Sequence, residues 1–122
     1  MILHDATIRI KNLRLRTYIG FNDDEIKNKQ DVVVNAVIKY DAKRAADTDA
    51  VDNALNYKTV TKAIIRLVEN NRFLLLEKLT GDILALCADH PWVKWAEVEV
   101  DKPHALRFSD SVSLSIACSK ED

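Results

Sequence analysis

Residues 56–88 read NYKTVTKAIIRLVENNRFLLLEKLTGDILALCA, and the spacing of their apolar side chains decides the fold class. Val60, Ile64, Leu67 and Val68 recur three or four residues apart, the period that gathers side chains on one face of a helix. Asn56 stands just before this pattern as a candidate N-cap, and Asn70-Asn71 break it. A second helix is expected from about Leu74 to Ala88, with Leu75, Leu76, Leu79, Ile83, Leu86 and Cys87 covering a broad apolar face. Pro91 prevents its continuation.

On both sides of this helix pair the period changes to two. Upstream, Ala6 to Ile19 reads as a strand whose apolar phase switches between Ile8/Ile10 and Leu13/Leu15, so a bulge is expected near Lys11-Asn12. Gly20 opens a polar turn, GFNDDEIKNKQD. Val32, Val34, Ala36, Ile38 and Tyr40 then share one side of a second strand. The stretch DAKRAADTDAVDNALN is polar with scattered alanines and reads as a short irregular helix. Downstream, Ala96, Val98 and Val100 alternate with Glu97, Glu99 and Asp101. Val112, Leu114, Ile116 and Cys118 alternate with Ser111, Ser113, Ser115 and Ala117. The order ββααββ predicts an α+β fold: one four-stranded antiparallel sheet with two main helices on its apolar face. The other face is mixed in polarity and both edges are open, so edge-to-edge joining of subunits into a closed barrel is expected.

A chain of 122 residues is expected to form a single domain, 1–122. Apolar residues at 48% suit a folded core, while 18 Lys and Arg against 19 Asp and Glu leave no basic field for nucleic acid. No apolar run is long enough to span a bilayer, and no secretory leader is read at the N-terminus. Cys87 and Cys118 make neither a disulfide framework nor a C-x-x-C motif, which points to a reducing cytoplasmic location. His4, His90 and His104 lack metal-ligand spacing, and no glycine-rich phosphate loop is present, so no metal site is expected. Phe73, Trp92 and Trp95 read as core or interface.

Several polar residues interrupt the pattern. Glu77 begins an apolar helical stretch, where free N–H groups favour negative charge. It reads either as a surface glutamate or as a carboxylate gripping the ring N–H and amino group of an amino-pyrimidinone. Lys102 ends a strand before Pro103 and is either exposed or an acid/base amine beside a dry pocket. Tyr57 offers a ring for packing and a hydroxyl for proton transfer, and Glu25 lies in an acidic turn that is ordinarily solvated. His104 and Arg107 follow Lys102-Pro103, and Arg14 and Arg16 alternate on the first strand; these are the candidate anion contacts.

The segments TYIGFNDDE, ALNYKTV, RFLLLEKLT and EVDKPHALR, in this order and spacing from about Ala6 to Ala117, resemble the dihydroneopterin aldolase/epimerase family. The resemblance implies the T-fold (tunnelling fold), in which four ββααββ subunits close a sixteen-stranded ring and two rings stack as an octamer. It implies a pterin substrate and sites between subunits. Glu77 would anchor the pterin, aided by the backbone near Leu76. Tyr57 of a neighbouring copy would contact the ring and join in proton transfer. Lys102 would be the principal acid/base group, and Glu25 would organise the side-chain hydroxyls or a water. The dihydropterin itself would serve as electron sink, so no cofactor is implied.

LRLRTYIG, VENNRF and DKPHALR look closer to the bacterial dihydroneopterin triphosphate 2'-epimerases than to ordinary aldolases. His104-Ala105-Leu106-Arg107 stands where many aldolases are richer in Gly and Pro. The expected reaction is therefore inversion at C2' to dihydromonapterin triphosphate, on a tetrahydromonapterin route, with His104 or Arg107 favouring a phosphorylated side chain. The alternative is aldol cleavage to 6-hydroxymethyl-7,8-dihydropterin and glycolaldehyde.

Overall fold

Asn56 does cap the first long helix: its Oδ1 accepts from the backbone N–H groups of Lys58 at 3.0 Å and Thr59 at 3.3 Å. The computed structural model describes residues 1–120. In chain order the elements are β1 (Ala6–Ile19), α1 (Asp23–Lys27), β2 (Gln30–Tyr40), α2 (Lys43–Thr48), a 3-10 turn (Val51–Asn53) and α3 (Tyr57–Glu69). They continue with β3 (Arg72–Phe73), α4 (Leu76–Ala88), β4 (Val93–Lys102) and β5 (Val112–Ser119).

The sheet order is β3-β1-β2-β4-β5. Four strands pair antiparallel as expected, but the sheet is mixed, because the two-residue β3 adds a parallel fifth strand beside β1. Tyr18 pairs with Arg72 and Ile19 with Phe73. The N–H of Gly20 donates to the Phe73 carbonyl at 3.0 Å. The helical period breaks at Asn70-Asn71, and the liberated backbone bonds to the end of β1. Leu74 and Leu75 consequently lie outside α4, which begins two residues later than expected, and Leu75 is half exposed instead of joining the core. The turn after Gly20 likewise contains a short helix, α1.

The expected bulge is present. Ile10 pairs with Ala36 but Leu13 with Val34, so β1 carries one extra residue. Asn12 takes it up at φ 54°, a left-handed conformation that Asn tolerates. Its N–H donates to Asn35 Oδ1 at 2.9 Å, and Asn35 Nδ2 donates back to Asn12 Oδ1 at 3.3 Å.

Val32, Val34, Ala36 and Ile38 of β2 and Ala96, Val98 and Val100 of β4 are at most 1% exposed. Ile64 and Val68 of α3 and Leu79, Ile83 and Cys87 of α4 complete the same core. Each large aliphatic side chain so buried contributes roughly 1.5–3 kcal/mol. Thr17 is the polar member of the buried β1 face; its Oγ1 donates to the Val68 carbonyl at 2.6 Å, satisfying one acceptor in the last turn of α3. On the opposite face Arg9, Lys11, Arg14 and Arg16 line β1, and Glu97, Glu99 and Asp101 line β4. Among the described residues, β1 from Ala6 to Thr17 and β5 each leave one edge unpaired.

Candidate active site

Lys102 continues the inward phase of Ala96, Val98 and Val100, so the last residue of β4 brings an amine to the covered face of the sheet. There its Nζ donates to Glu25 Oε2 at 2.6 Å. The two side chains are only 13% and 18% exposed.

Local chemistry explains how Glu25 arrives. Asn22 caps α1 by accepting the Glu25 N–H at 2.9 Å, with Asp23, Asp24 and Glu25 in the electropositive first turn. The Glu25 side chain folds back over Gly20, whose φ of 122° lies where residues with a Cβ are strained. A Cβ at Gly20 would fall on that carboxylate. Gln30, the first residue of β2, completes the clasp: its Nε2 donates to the Ile19 carbonyl at 2.6 Å and to Glu25 Oε2 at 3.1 Å. The Lys102 ammonium holds the Glu25 carboxyl below the ordinary glutamate value, aided by Gln30 and the Asn22 turn and opposed by burial.

Glu77 stands second in α4, after Leu75 and Leu76. Leu75 provides no side-chain cap, so the N–H groups of Leu76 and Glu77 lie ahead of the first helical hydrogen bond and are open to a ligand. Among the described residues the exposed Glu77 carboxylate has no hydrogen-bond or ion-pair partner. One cleft of about 310 Å³ joins these groups, lined by Glu25, Lys102, Leu76 and Glu77 together with Phe21 and Leu74. It pairs an apolar wall with a free carboxylate and a carboxylate–ammonium couple, the composition of a site for a flat polar ring bearing a reactive side chain.

A second cleft of about 260 Å³ shares Asn22, Glu25 and Ala105 with the first and adds Asp24, Asn28, Gln30 and His104. A larger hollow of about 520 Å³ lies beside Leu67, Phe73 and Leu74. Of its lining charges, Lys78 and Asp82 pair along α4 at 3.0 Å and Arg72 lies over the Tyr18 ring at 3.8 Å, a surface arrangement with no reactive couple. The chemistry therefore points to the smaller clefts.

Of the residues singled out in the sequence, Glu25, Lys102, Leu76 and Glu77 meet in the first cleft and His104 lines the second. His104 Nε2 stands 3.7 Å from Asp31 Oδ2, and Asp31 also receives Arg16 at 2.6 Å. Arg14 and Arg16 border a separate hollow with Pro103. Arg107 lies over the Phe108 ring at 5.4 Å and lines neither cleft that shares Glu25. Tyr57, first in α3 and 55% exposed, also lines neither. Gln30 and Asn22 escaped sequence reading. The N-cap ahead of Asp-Asp-Glu was a usable signal for Asn22, whereas Gln30 had none, since its partners come from the end of β1 and from α1.

A family model described as Dihydroneopterin aldolase matches residues 8–117. A protein of Escherichia coli strain K12 named Dihydroneopterin triphosphate 2'-epimerase is 58% identical over 92% of this chain and 93% of its own length. A Pseudomonas aeruginosa protein of the same name is 58% identical over 92% and 91%. Among solved structures, E. coli dihydroneopterin aldolase in complex with neopterin superimposes with a TM-score of 0.87 at 26% identity, covering 93% of this chain and 99% of that one. The shared architecture is the T-fold subunit expected from the resemblance. Since the agreement runs from β1 to β5, the chain belongs to the dihydroneopterin aldolase family.

Proposed function

We propose that this protein inverts C2' of 7,8-dihydroneopterin triphosphate to give 7,8-dihydromonapterin triphosphate. The observation that carries the reading is the gathering of Glu77, the open N–H groups of α4 and the Glu25–Lys102 pair in one cleft. Relatives at 58% identity that bear the epimerase name favour inversion over release.

In this reading Glu77 and the Leu76 backbone hold the amino-pyrimidinone edge of the pterin. Lys102, once it has given up its own proton and stands as the neutral amine, takes the proton of the C2' hydroxyl, with Glu25 fixing the hydroxyls or a water beside it. The C1'–C2' bond then breaks with its electron pair passing into the dihydropterin C=N unit, so the substrate supplies its own electron sink. Re-addition to the other aldehyde face inverts C2'. Tyr57 of a neighbouring copy covers the ring and joins in proton transfer. His104 and Arg107, both on the segment after Lys102, receive the phosphates. The unpaired edges of β1 and β5 and the exposed Phe21, Leu74 and Tyr57 fit closure into rings, with two rings stacking as an octamer. The setting is the cytoplasm.

The family name supports a second outcome from the same cleft: protonation at C1' and loss of the aldehyde, which is the aldolase reaction. Chromatography of products from dihydroneopterin triphosphate and unphosphorylated dihydroneopterin, run in parallel, separates the two. The expected result is mainly 2'-epimer with faster turnover of the triphosphate. Mainly 6-hydroxymethyl-dihydropterin would replace the epimerase reading with the aldolase one.

A further inference from the structure

Epimerisation at this site poses a problem that cleavage does not. Once the C1'–C2' bond has broken, the two-carbon aldehyde must turn its other face toward C1' without escaping. We propose that the second cleft, lined by Asn22, Asn28, Gln30 and His104, is the compartment that retains this phosphorylated hydroxyaldehyde fragment while it turns. The inference rests on the C2' epimerase reading and assigns the residues that would decide between inversion and release.

The cleft is in the right place and of suitable character. It shares Asn22, Glu25 and Ala105 with the cleft that holds Lys102, so a fragment cut loose beside Glu25 enters it without crossing bulk solvent. Its volume of about 260 Å³ admits the two-carbon aldehyde end of the fragment with room to rotate. Its amides are each held at one end and free at the other. Asn22 Oδ1 is used by the Glu25 N–H at 2.9 Å, and Asn28 Nδ2 by the Asp24 carbonyl at 3.0 Å. Gln30 Nε2 is used by the Ile19 carbonyl and Glu25. Among the described residues this leaves Asn22 Nδ2, Asn28 Oδ1 and Gln30 Oε1 without partners. An aldehyde oxygen only accepts, so Asn22 Nδ2 is the group of the three that can hold it, while Asn28 Oδ1 and Gln30 Oε1 can accept only from a hydroxyl or water. Charge orients the fragment. Asp24 and Glu25 repel phosphate, so the carbonyl end lies against the amides and the phosphates point toward His104, where Arg16 offsets the Asp31 carboxylate that faces the imidazole.

The balance of the step makes the retention consequential. Cleavage leaves an enamine carbon at C1' and a neutral aldehyde at C2'. If C1' attacks the turned aldehyde, the bond reforms and the carbonyl oxygen recovers its proton, giving the epimer. If C1' takes that proton first, the aldehyde departs as product. Each hydrogen bond that retains the aldehyde favours the first course.

The test is the ratio of 6-hydroxymethyl-dihydropterin to 2'-epimer formed from dihydroneopterin triphosphate by Asn22→Ser and Asn28→Ala variants. Serine keeps the N-cap of α1 while removing the Asn22 amino group, and thermal melting checks that both variants fold. The expected result is a rise in that ratio of about fivefold in Asn22→Ser, the size of one ordinary hydrogen bond, and no rise in Asn28→Ala, whose free oxygen cannot hold an aldehyde. An unchanged ratio in folded Asn22→Ser, with wild type still epimerising, overturns this inference alone. Failure of wild type to form the epimer overturns the epimerase reading and the inference with it.

Discussion

Glu25 and Lys102 are separated by 77 positions in sequence and meet at 2.6 Å, with both side chains more than four-fifths covered. A pair so enclosed is weakly screened, and removing one member strands the other. Lys102→Met is expected to lower turnover at least about 10²-fold, the lower range of an acid/base contribution. It should also cost roughly 1–3 kcal/mol in urea unfolding, as for a lost charged hydrogen bond. Adding Glu25→Gln should recover part of that stability, because no charge is then stranded. Full additivity of the two changes in the unfolding cycle would show that the pair is not coupled.

The same pair sets an acid limb. The folded Glu25 carboxyl titrates below the ordinary 4.5, chiefly through Lys102. A carboxyl lowered by folding contributes stability that is fully present above its unfolded value and is lost as pH falls through the folded one. The melting temperature should therefore decline below about pH 4.5 more steeply in wild type than in Glu25→Gln. Parallel curves between pH 7 and 3 would remove Glu25 as the source.

The two glycines respond in opposite senses to alanine. At Gly20 the φ of 122° and the Glu25 carboxylate both oppose a Cβ, so Gly20→Ala should cost about 1–3 kcal/mol and disable turnover by displacing Glu25. At Gly81, inside α4, an added Cβ meets nothing within 4 Å, and Gly81→Ala should stabilise by about 0.5–1 kcal/mol. Denaturant midpoints of the two variants, one below and one above wild type, check both.

Cys87 is 1% exposed, and burial, reinforced by the nearby Cys118, pushes its thiol up to about 12. The thiolate is the reactive species, so a Cys118→Ser protein at pH 8 should resist thiol reagents until unfolded. Rapid labelling of that variant under native conditions would show that α4 opens locally.

The patterns that were legible in the sequence are those carried by neighbours along the chain. Leu13 and Leu15 leave the phase of Ile8 and Ile10, and the bulge at Asn12 follows; Asn56 precedes an apolar period, and the cap follows. Glu77 was placed correctly at a helix start because its neighbours define that helix. What was hidden is tertiary. Two residues of parallel pairing at Arg72–Phe73 have no period to display, and their partners lie in β1. The clasp of Gln30 on Glu25 and Ile19 depends on a turn closing around Gly20, and the Lys102 contact depends on β4 lying beside β2. Tyr57 and Arg107 were read from side-chain chemistry and chain position as well as from the resemblance, and in one subunit they line neither cleft that shares Glu25.

The bulge at Asn12 also constrains how this gene can change length. Remove the codon for Asn12, and Ile10, Lys11 and Leu13 run in regular alternation, every later residue keeping its side; remove the codon for Arg14 instead, and Leu15 and Thr17 lose the phase that buries them. The exposed stretch from His104 to Asp110 carries no strand pairing, so a codon gained or lost there disturbs no phase. Inherited single-residue deletions should therefore accumulate after Pro103 or at Asn12 and be purged between Leu13 and Ile19, which makes the asparagine bulge the one spare position in a strand of otherwise fixed phase.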